Sequence, residues 1–321
     1  MKQTLRVGVV GTSSIMREML EAIRQTEGLL AAVVYSRSLE RGKEFAAQNG
    51  VPEACDDYAA MISREDLDVI YLASPNKFHV PQALEALNHG KHVLVEKPVS
   101  VREKDVELLA EAARENGVFF FETITTLFMP NFLAFREVCS QLKDKRQASF
   151  NFGRKSSKWE AFLAGNVPSS FSPAMEGGAL NDMGIYCIHP AVELFGRPEQ
   201  VCYEAKRADN GVDIDGKLLL TYPDLTCEIN TSKSTDIPCG CYVEGSNGWV
   251  RQQGLVNSFE NCSASLNGVP LDVERQNGEH RMIYELARFR DAILQRDEKF
   301  FEKMVSQSQT ASWVLEKAQR R

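Results

Sequence analysis

With 321 residues the chain exceeds what one hydrophobic core usually supports, so two units, each large enough to bury a core, are expected. Acids outnumber bases 44 to 37, for a net charge of −7, and no stretch gathers the Lys/Arg runs with interleaved aromatics that follow a phosphate backbone, which speaks against a nucleic-acid partner. No window reaches the roughly 20 apolar residues of a membrane span, and the early run Val7 to Val10 is too short for a signal-peptide core, so a cytoplasmic protein with no membrane partner is expected.

Over residues 1–122, apolar runs alternate with helical patterns. "LRVGVV" (5–10), "LLAAVVYS" (29–36), "DVIYLAS" (68–74), "HVLVEK" (92–97) and "VFFFE" (118–122) are short and almost wholly apolar, as strands buried on both faces must be. Between them, "REMLEAIRQTE", "LERGKEFAAQNG", "HVPQALEALNHG" and "VREKDVELLAEAARENG" repeat apolar residues at three and four positions. The last three end at Gly50, Gly90 and Gly117, and Ser100 with Glu103 has the spacing of a capping box. This alternation predicts an α/β unit, a doubly wound parallel sheet of the Rossmann kind.

Over residues 123–321 the rhythm changes. A helix at "FLAFREVCSQL" leads to a strand at "QASFNFG" and a Gly-rich helical segment (177–195), followed by strand candidates "QVCYEAK", "KLLLTYP", "LTCEINTS", "GCYVEGS", "GWVRQQ" and "SASLNG". An α+β unit with an open, mostly antiparallel sheet and helices on one face is expected. Two closing helices, 280–295 and 306–320, are assigned to this second unit. The eight cysteines lack a CxxC pair and the five histidines are dispersed, so buried reduced thiols are expected and no metal site.

The first strand runs into "GVVGTSSIM", where a dinucleotide fingerprint places three glycines. Here Gly11 holds the first position, with Ser13 and Met16 at the other two. The loop Gly11, Thr12, Ser13, Ser14 and Ile15 still aims a helix N-terminus at a phosphate, with hydroxyl donors in place of close backbone approach. A plain strand–turn–helix whose serines cap the helix fits the same letters. The end of the second strand, "VVYSRSLER", offers Ser36, Arg37 and Arg41 where an NAD site has an acid for the ribose 2′-OH. Cations there suit a 2′-phosphate, so NADP(H) is expected in preference to NAD(H).

The string "ASPNKFHVPQALEALNHGKHVLVEKP" (73–98), with "EKP" at Glu96, Lys97 and Pro98, closely resembles the glucose-fructose oxidoreductase, inositol dehydrogenase and rhizopine-catabolism protein family. "EGGALNDMGIYCIHPAVELFG" (176–196), "GVDIDGKLLLTYPD" and "CYVEGSNGWV" extend the resemblance over essentially the whole chain. It implies that Ser74, Pro75, Asn76, His79 and Glu96 belong to the cofactor site and that Lys97 meets both the cofactor ribose and the reacting oxygen. It also implies that Asp182 and Tyr186, four apart and therefore on one helix face, point into the cleft. Tyr at that place resembles the branch with dihydrodiol dehydrogenase and NADP-dependent xylose dehydrogenase, where inositol dehydrogenases carry His. In "ETITTLFMP" the resemblance implies Glu122 at the substrate, while Thr126 and Leu127 stand where relatives have an aromatic and an Arg. His189 departs from a usual Asp or Asn, and Lys155, Lys158 and Trp159 follow the first strand of the second unit, either at the cleft or in a solvated loop.

Hydride transfer at a C–OH or C=O group requires a proton to move at the same oxygen. A phenol, ordinarily near pKa ~10, serves when an ammonium beside it favours the phenolate. The expected roles are Tyr186 as general acid/base, Lys97 as its electrostatic activator and Asp182 as acceptor for a substrate hydroxyl. The implied reaction is NADP(H)-dependent oxidoreduction of a sugar, polyol or related cyclic alcohol or carbonyl. A non-catalytic dinucleotide- or sugar-sensing regulator of the same fold is the alternative, and biliverdin-type reduction of a planar substrate is disfavoured by Asp182. A carbohydrate-like small molecule is the expected partner, together with further copies of the chain through the second sheet.

Overall fold

The computed structural model describes residues 4–276 and 279–319. Its residues group into two compact units, Met1–Ser100 with Lys104–Thr123 and His280–Ser308, and Val101–Glu103 with Ile124–Glu279 and Gln309–Arg321. The first unit runs β1 (Leu5–Val10), α1 (Ser14–Gln25), β2 (Leu29–Tyr35), α2 (Leu39–Gln48), β3 (Glu53–Cys55), α3 (Tyr58–Ile62), β4 (Val69–Leu72), α4 (His79–Asn88), β5 (His92–Glu96), α5 (Glu103–Glu115) and β6 (Phe120–Thr123).

The six strands of this unit pair in the order β3-β2-β1-β4-β5-β6, all parallel. Strand order reverses between β1 and β4, the place where open α/β sheets leave a crevice at the carboxyl ends of their strands. The central strand β4 is buried at every residue, which is why it reads as an unbroken apolar run, and the edge strand β6 is buried throughout as well, its Glu122 and Thr123 included. Helix α1 seals the sheet with Met16, Met19, Leu20 and Ile23, a stripe at helical spacing. The edge strand β3 has no apolar run and was not expected, so the strand carrying "HVLVE" is fifth in chain order rather than fourth. Helix α5 starts at Glu103, and Ser100, ahead of it, donates to Asp105 in its first turn at 2.7 Å.

The second unit runs α6 (Pro130–Gln141), β7 (Gln147–Gly153), α7 (Trp159–Leu163), a π turn over Leu180–Gly184 continuing into α8 (Ile185–Phe195), and then seven strands. These are β8 (Gln200–Arg207), β9 (Asp213–Thr221), β10 (Thr226–Ser232), β11 (Gly240–Gly245), β12 (Gly248–Gln253), β13 (Cys262–Leu266) and β14 (Val269–Leu271). With β7 they form one sheet in the order β14-β13-β12-β11-β7-β10-β9-β8, antiparallel throughout except for β7 with β10. Alternate residues Ala148, Phe150 and Phe152 of β7, with Cys227 and Ile229 of β10, are buried on the face that α8 covers. The opposite face is polar, with Asn230 donating to Asn151 at 2.8 Å and Lys217 paired with Glu228 at 2.6 Å.

The chain ends in α9 (Ile283–Gln295) and α10 (Glu298–Gln319). Assignment of the first, expected at 280–295, to the second unit is corrected, whereas the stretch expected at 306–320 does group with the second unit from Gln309 but belongs to a helix that starts earlier, at Glu298. Helix α9 and α10 as far as Ser308 group with the first unit, and only the part from Gln309 groups with the second. The reason is aromatic packing on the parallel sheet: Phe289 stacks on Phe121 with centroids 4.6 Å apart, and Phe301 stacks on Phe119 at 4.9 Å. No helix among the described residues is long and apolar enough to cross a membrane.

Candidate active site

In the first unit β1 ends at the turn expected to hold a pyrophosphate. Gly11 has φ +113, a conformation L side chains rarely adopt, and a Cβ there would lie 3.1 Å from the Ala73 carbonyl oxygen at the end of β4. Ser13 is the N-cap of α1, yet its side chain makes no capping bond. That removes the plain-cap explanation of these serines and leaves the first N–H groups of the helix, with the accessible side chains of Thr12, Ser13, Ser14 and Ile15, facing outward. Met16, in place of the third glycine, is fully buried in the core. The cradle therefore fits a dinucleotide.

At the end of β2, Arg37 and Arg41 are exposed and form no ion pair among the described residues. Ser36 is turned inward: it is 8% exposed, its N–H donates to the Cys55 carbonyl at 3.0 Å, and its Oγ accepts the Ser38 N–H at 3.4 Å. The cap of α2 is Ser38, whose Oγ accepts the Arg41 N–H.

At the ends of β4 and β5, several expected ligands prove to be engaged with the protein itself. His79 is 1% exposed and sits between two backbone carbonyls, its Nδ1 2.9 Å from Pro98 O and its Nε2 2.8 Å from Ser74 O. Burial pushes its pKa down, against those two contacts and the charges of Glu96 and Glu122. A neutral ring carries one N–H and donates to one of these carbonyls, so His79 lies between the Ser74–Pro75–Asn76 turn and the Lys97–Pro98 turn and hydrogen-bonds one of them. Ser74 donates to Gln82 at 2.6 Å. Glu96 is buried, accepting from the Tyr71 hydroxyl and from Thr123 Oγ1 at 3.3 Å.

Lys97, next in the chain, is half-buried. Glu122, expected at the substrate, is 2% exposed and accepts the Val99 N–H at 3.0 Å and the Ser308 hydroxyl at 2.6 Å. It braces the backbone two residues beyond Lys97. Both acids sit in the interior because a carboxylate there is tolerated only when hydrogen-bonded, and these donors supply the bonds.

In the second unit the π turn and α8 carry Asp182 and Tyr186 one turn apart. Asp213, on β9, fixes the start of this element by accepting the Leu180 N–H at 2.8 Å and the Tyr203 hydroxyl at 2.7 Å. Gly178 is required where it stands, with φ +134 and no room for a Cβ against that carboxylate. Tyr186 is 7% exposed, its ring edge-on to Phe152 at 5.3 Å. Asp182 pairs with Lys233 at 2.6 Å. Sequence reasoning missed Lys233, because a lysine closing the polar strand "TCEINTS" reads as a solvated strand end.

The positions where the sequence departs from its relatives are mostly interior or self-engaged. Thr126 is buried, donating to Val256 O at 3.0 Å, Leu127 is 7% exposed and His189 is fully buried. Lys155 is paired with Glu160 at 2.6 Å, Lys158 is exposed, and Trp159 packs on Phe162 and Phe171. No disulfide joins the eight cysteines; Cys202 is exposed and Cys139, Cys187, Cys227 and Cys241 are buried. Among the described residues no cluster of three His, Cys, Asp or Glu side chains is placed to hold a metal.

The chain is 35% identical over 246 residues to the scyllo-inositol 2-dehydrogenase (NADP(+)) of Bacillus subtilis, covering 77% of this chain and 75% of that protein. It is 31% identical over 293 residues to human trans-1,2-dihydrobenzene-1,2-diol dehydrogenase, covering 85% and 84%. Among solved structures, a 3-ketoreductase from Actinomadura kijaniata in complex with TDP-benzene and NADP superposes with a TM-score of 0.83 at 21% identity, covering 98% of this chain and 97% of that chain. Residues 5–123 match the model described as an oxidoreductase family with an NAD-binding Rossmann fold, and residues 145–251 match the GFO/IDH/MocA C-terminal domain. The chain belongs to the GFO/IDH/MocA oxidoreductase family.

Proposed function

We propose that this enzyme is an NADP(H)-dependent dehydrogenase or reductase that moves a hydride between nicotinamide and a ring carbon of a sugar, polyol or related cyclic alcohol or carbonyl. The observation that carries the reading is the placement of a carboxyl group and a phenol, Asp182 and Tyr186, one turn apart on one short helical element. Two relatives named for a cyclic inositol and a cyclic diol point to the same substrate class. The exposed Arg37 and Arg41, with an NADP(+)-named relative, support NADP(H) over NAD(H).

The nicotinamide, when bound, supplies or accepts the hydride. The Gly11–Ile15 loop and the N-terminus of α1 would hold the pyrophosphate, and the turns at Ser74–Asn76 and Lys97 would serve the nicotinamide ribose. Tyr186 takes the hydroxyl proton during oxidation and returns it during reduction, so charge balances at the substrate oxygen as the hydride leaves or arrives. Lys97 stabilises the phenolate and donates to the same oxygen. Asp182 accepts a hydrogen bond from a neighbouring substrate hydroxyl. The polar open face of the second sheet supports association of further copies of the chain.

The test is a spectrophotometric screen of aldoses, polyols, dihydrodiols and dicarbonyls with NADP(H) and NAD(H). Turnover with NADP(H) exceeding that with NAD(H) is expected. Tight NADPH binding with no turnover on any of them would replace this reading with the sensing one. In the active pairing, Lys97→Met is expected to lower kcat by about 100- to 10,000-fold with NADPH affinity nearly unchanged; retained turnover removes Lys97 from the role.

A further inference from the structure

Lys233 follows the last residue of β10 and is held at both ends. Its backbone N–H donates to Ile214 O at 2.8 Å and its carbonyl accepts the Ser156 N–H at 2.9 Å. Its side chain is 0% exposed, with Nζ 2.6 Å from Asp182 Oδ2, 2.8 Å from Ser170 O and 4.4 Å from the centroid of the Phe171 ring. That ring is itself fixed, stacked on Phe162 at 4.7 Å. A buried ammonium is tolerated only with a counter-ion and further acceptors, and this cage supplies a carboxylate, a carbonyl and an aromatic face. The two partners differ in access: Lys233 is sealed, whereas the Asp182 side chain keeps 34% exposure.

We infer that Lys233 is a positioning residue for the proposed reaction, holding the Asp182 carboxylate ionised and in one orientation as a standing acceptor for a substrate hydroxyl, with proton transfer left to Tyr186. The inference rests on the function proposed above and assigns a division of labour within it. A group that carries a proton in catalysis must change protonation near the working pH, and a carboxylate with an ammonium at 2.6 Å resists protonation. The same ammonium removes one rotational freedom from Asp182, because its Oδ2 cannot turn away without leaving a buried cation unpaired. A substrate hydroxyl therefore meets an acceptor already in place, which favours polyols and vicinal diols over isolated carbonyls.

A double-mutant cycle tests this with Lys233→Met, Asp182→Asn and the pair, reading kcat/KM, NADPH affinity and thermal stability. Lys233→Met is expected to lower kcat/KM by about 100-fold through misplacement of Asp182, with NADPH affinity unchanged. In the Asp182→Asn background the same change is expected to cost less than about 2-fold, since nothing remains to be positioned. The double variant is also expected to melt above Asp182→Asn alone, because that single change strands the ammonium. A folded Lys233→Met enzyme with unchanged kcat/KM overturns the inference, as does a second loss of about 100-fold on top of Asp182→Asn. Should Lys233→Met not fold, the comparison of Asp182→Asn with the double variant decides by the same criterion. Absence of turnover in the unmutated protein refutes the proposed reaction and this inference with it, and it is seen before any variant is compared.

Discussion

Glu122 offers the sharpest contrast between a residue that touches substrate and one that holds the backbone. Its two oxygens accept the Val99 N–H at 3.0 Å and the Ser308 hydroxyl at 2.6 Å, at 2% exposure. In Glu122→Gln the amide oxygen keeps Val99 and the amide nitrogen donates to Ser308, whose hydroxyl turns to accept. Each bond drops from charge-assisted to neutral, a loss of roughly 1 kcal/mol apiece and about 2 kcal/mol together. Glu122→Ala strands the buried Val99 N–H and leaves a void, about 4 kcal/mol in all. At about 2–4 °C per kcal/mol, melting should fall by about 4–8 °C for Gln and about 8–16 °C for Ala.

Because Val99 lies two residues beyond Lys97, kcat is expected to fall in the same order, Ala more than Gln, with a smaller change in KM. Scanning calorimetry alongside steady-state kinetics reads both quantities. Unchanged melting in both variants, with KM for the alcohol substrate raised, would place Glu122 at the substrate and refute the bracing role.

Replacing Arg37 or Arg41 by Ala is expected to weaken NADPH binding about 10-fold each while sparing NADH, with the difference shrinking at high salt; equal losses for both nucleotides in a fluorescence titration would contradict a 2′-phosphate contact. Gly11→Ala forces φ +113 on a residue with a Cβ, about 1–2 kcal/mol, beside the Ala73 carbonyl at 3.1 Å, so lower melting and weaker NADPH binding are expected together. An alanine variant with both properties intact would show that the turn relaxes freely. Burial pushes the His92 pKa down to about 4, and its Nδ1 accepts the Phe119 N–H at 3.0 Å. The folded ring stays neutral while the unfolded chain takes up a proton, so this contribution is complete above pH ~6.5 and is lost as pH falls towards about 4, by at most about 1.4 kcal/mol per pH unit. His92→Gln keeps an acceptor without titrating, and denaturant titrations across that window should show a flatter slope; an identical slope would assign the acid sensitivity to other groups.

The parallel sheet was legible because strands buried on both faces leave mainly apolar runs, as the stretches around β1, β2, β4, β5 and β6 do. Strand β3 was not, since three residues at a sheet edge need no apolar pattern. The helical period of α9 was readable, but an amphipathic stripe does not name the sheet it covers; the stacking of Phe289 on Phe121 joins residues too far apart in sequence for any local pattern to signal.

In the candidate site, Asp182 and Tyr186 stood out through their motif, whereas Lys233 and Asp213 act through other residues and carry no spacing that marks them. His79 and Glu122 show a different limit: each stands in a recognisable string that implies a place at the site, and the string does not signal the backbone groups of the neighbouring turns that they meet.

The return of α9 and the first part of α10 to the parallel sheet bears on how the chain matures during synthesis. A ribosome releases the six strands of the first unit before residue 124, yet the aromatic cover made by Phe289 and Phe301 arrives more than 160 residues later, after the whole second sheet. Synthesis at about 5–20 residues per second leaves the apolar side of that nascent sheet waiting for many seconds. The sheet that is made first is covered only after the second sheet has been made, and a fragment cut after β6 would display Phe119 and Phe121 to whatever apolar surface it met.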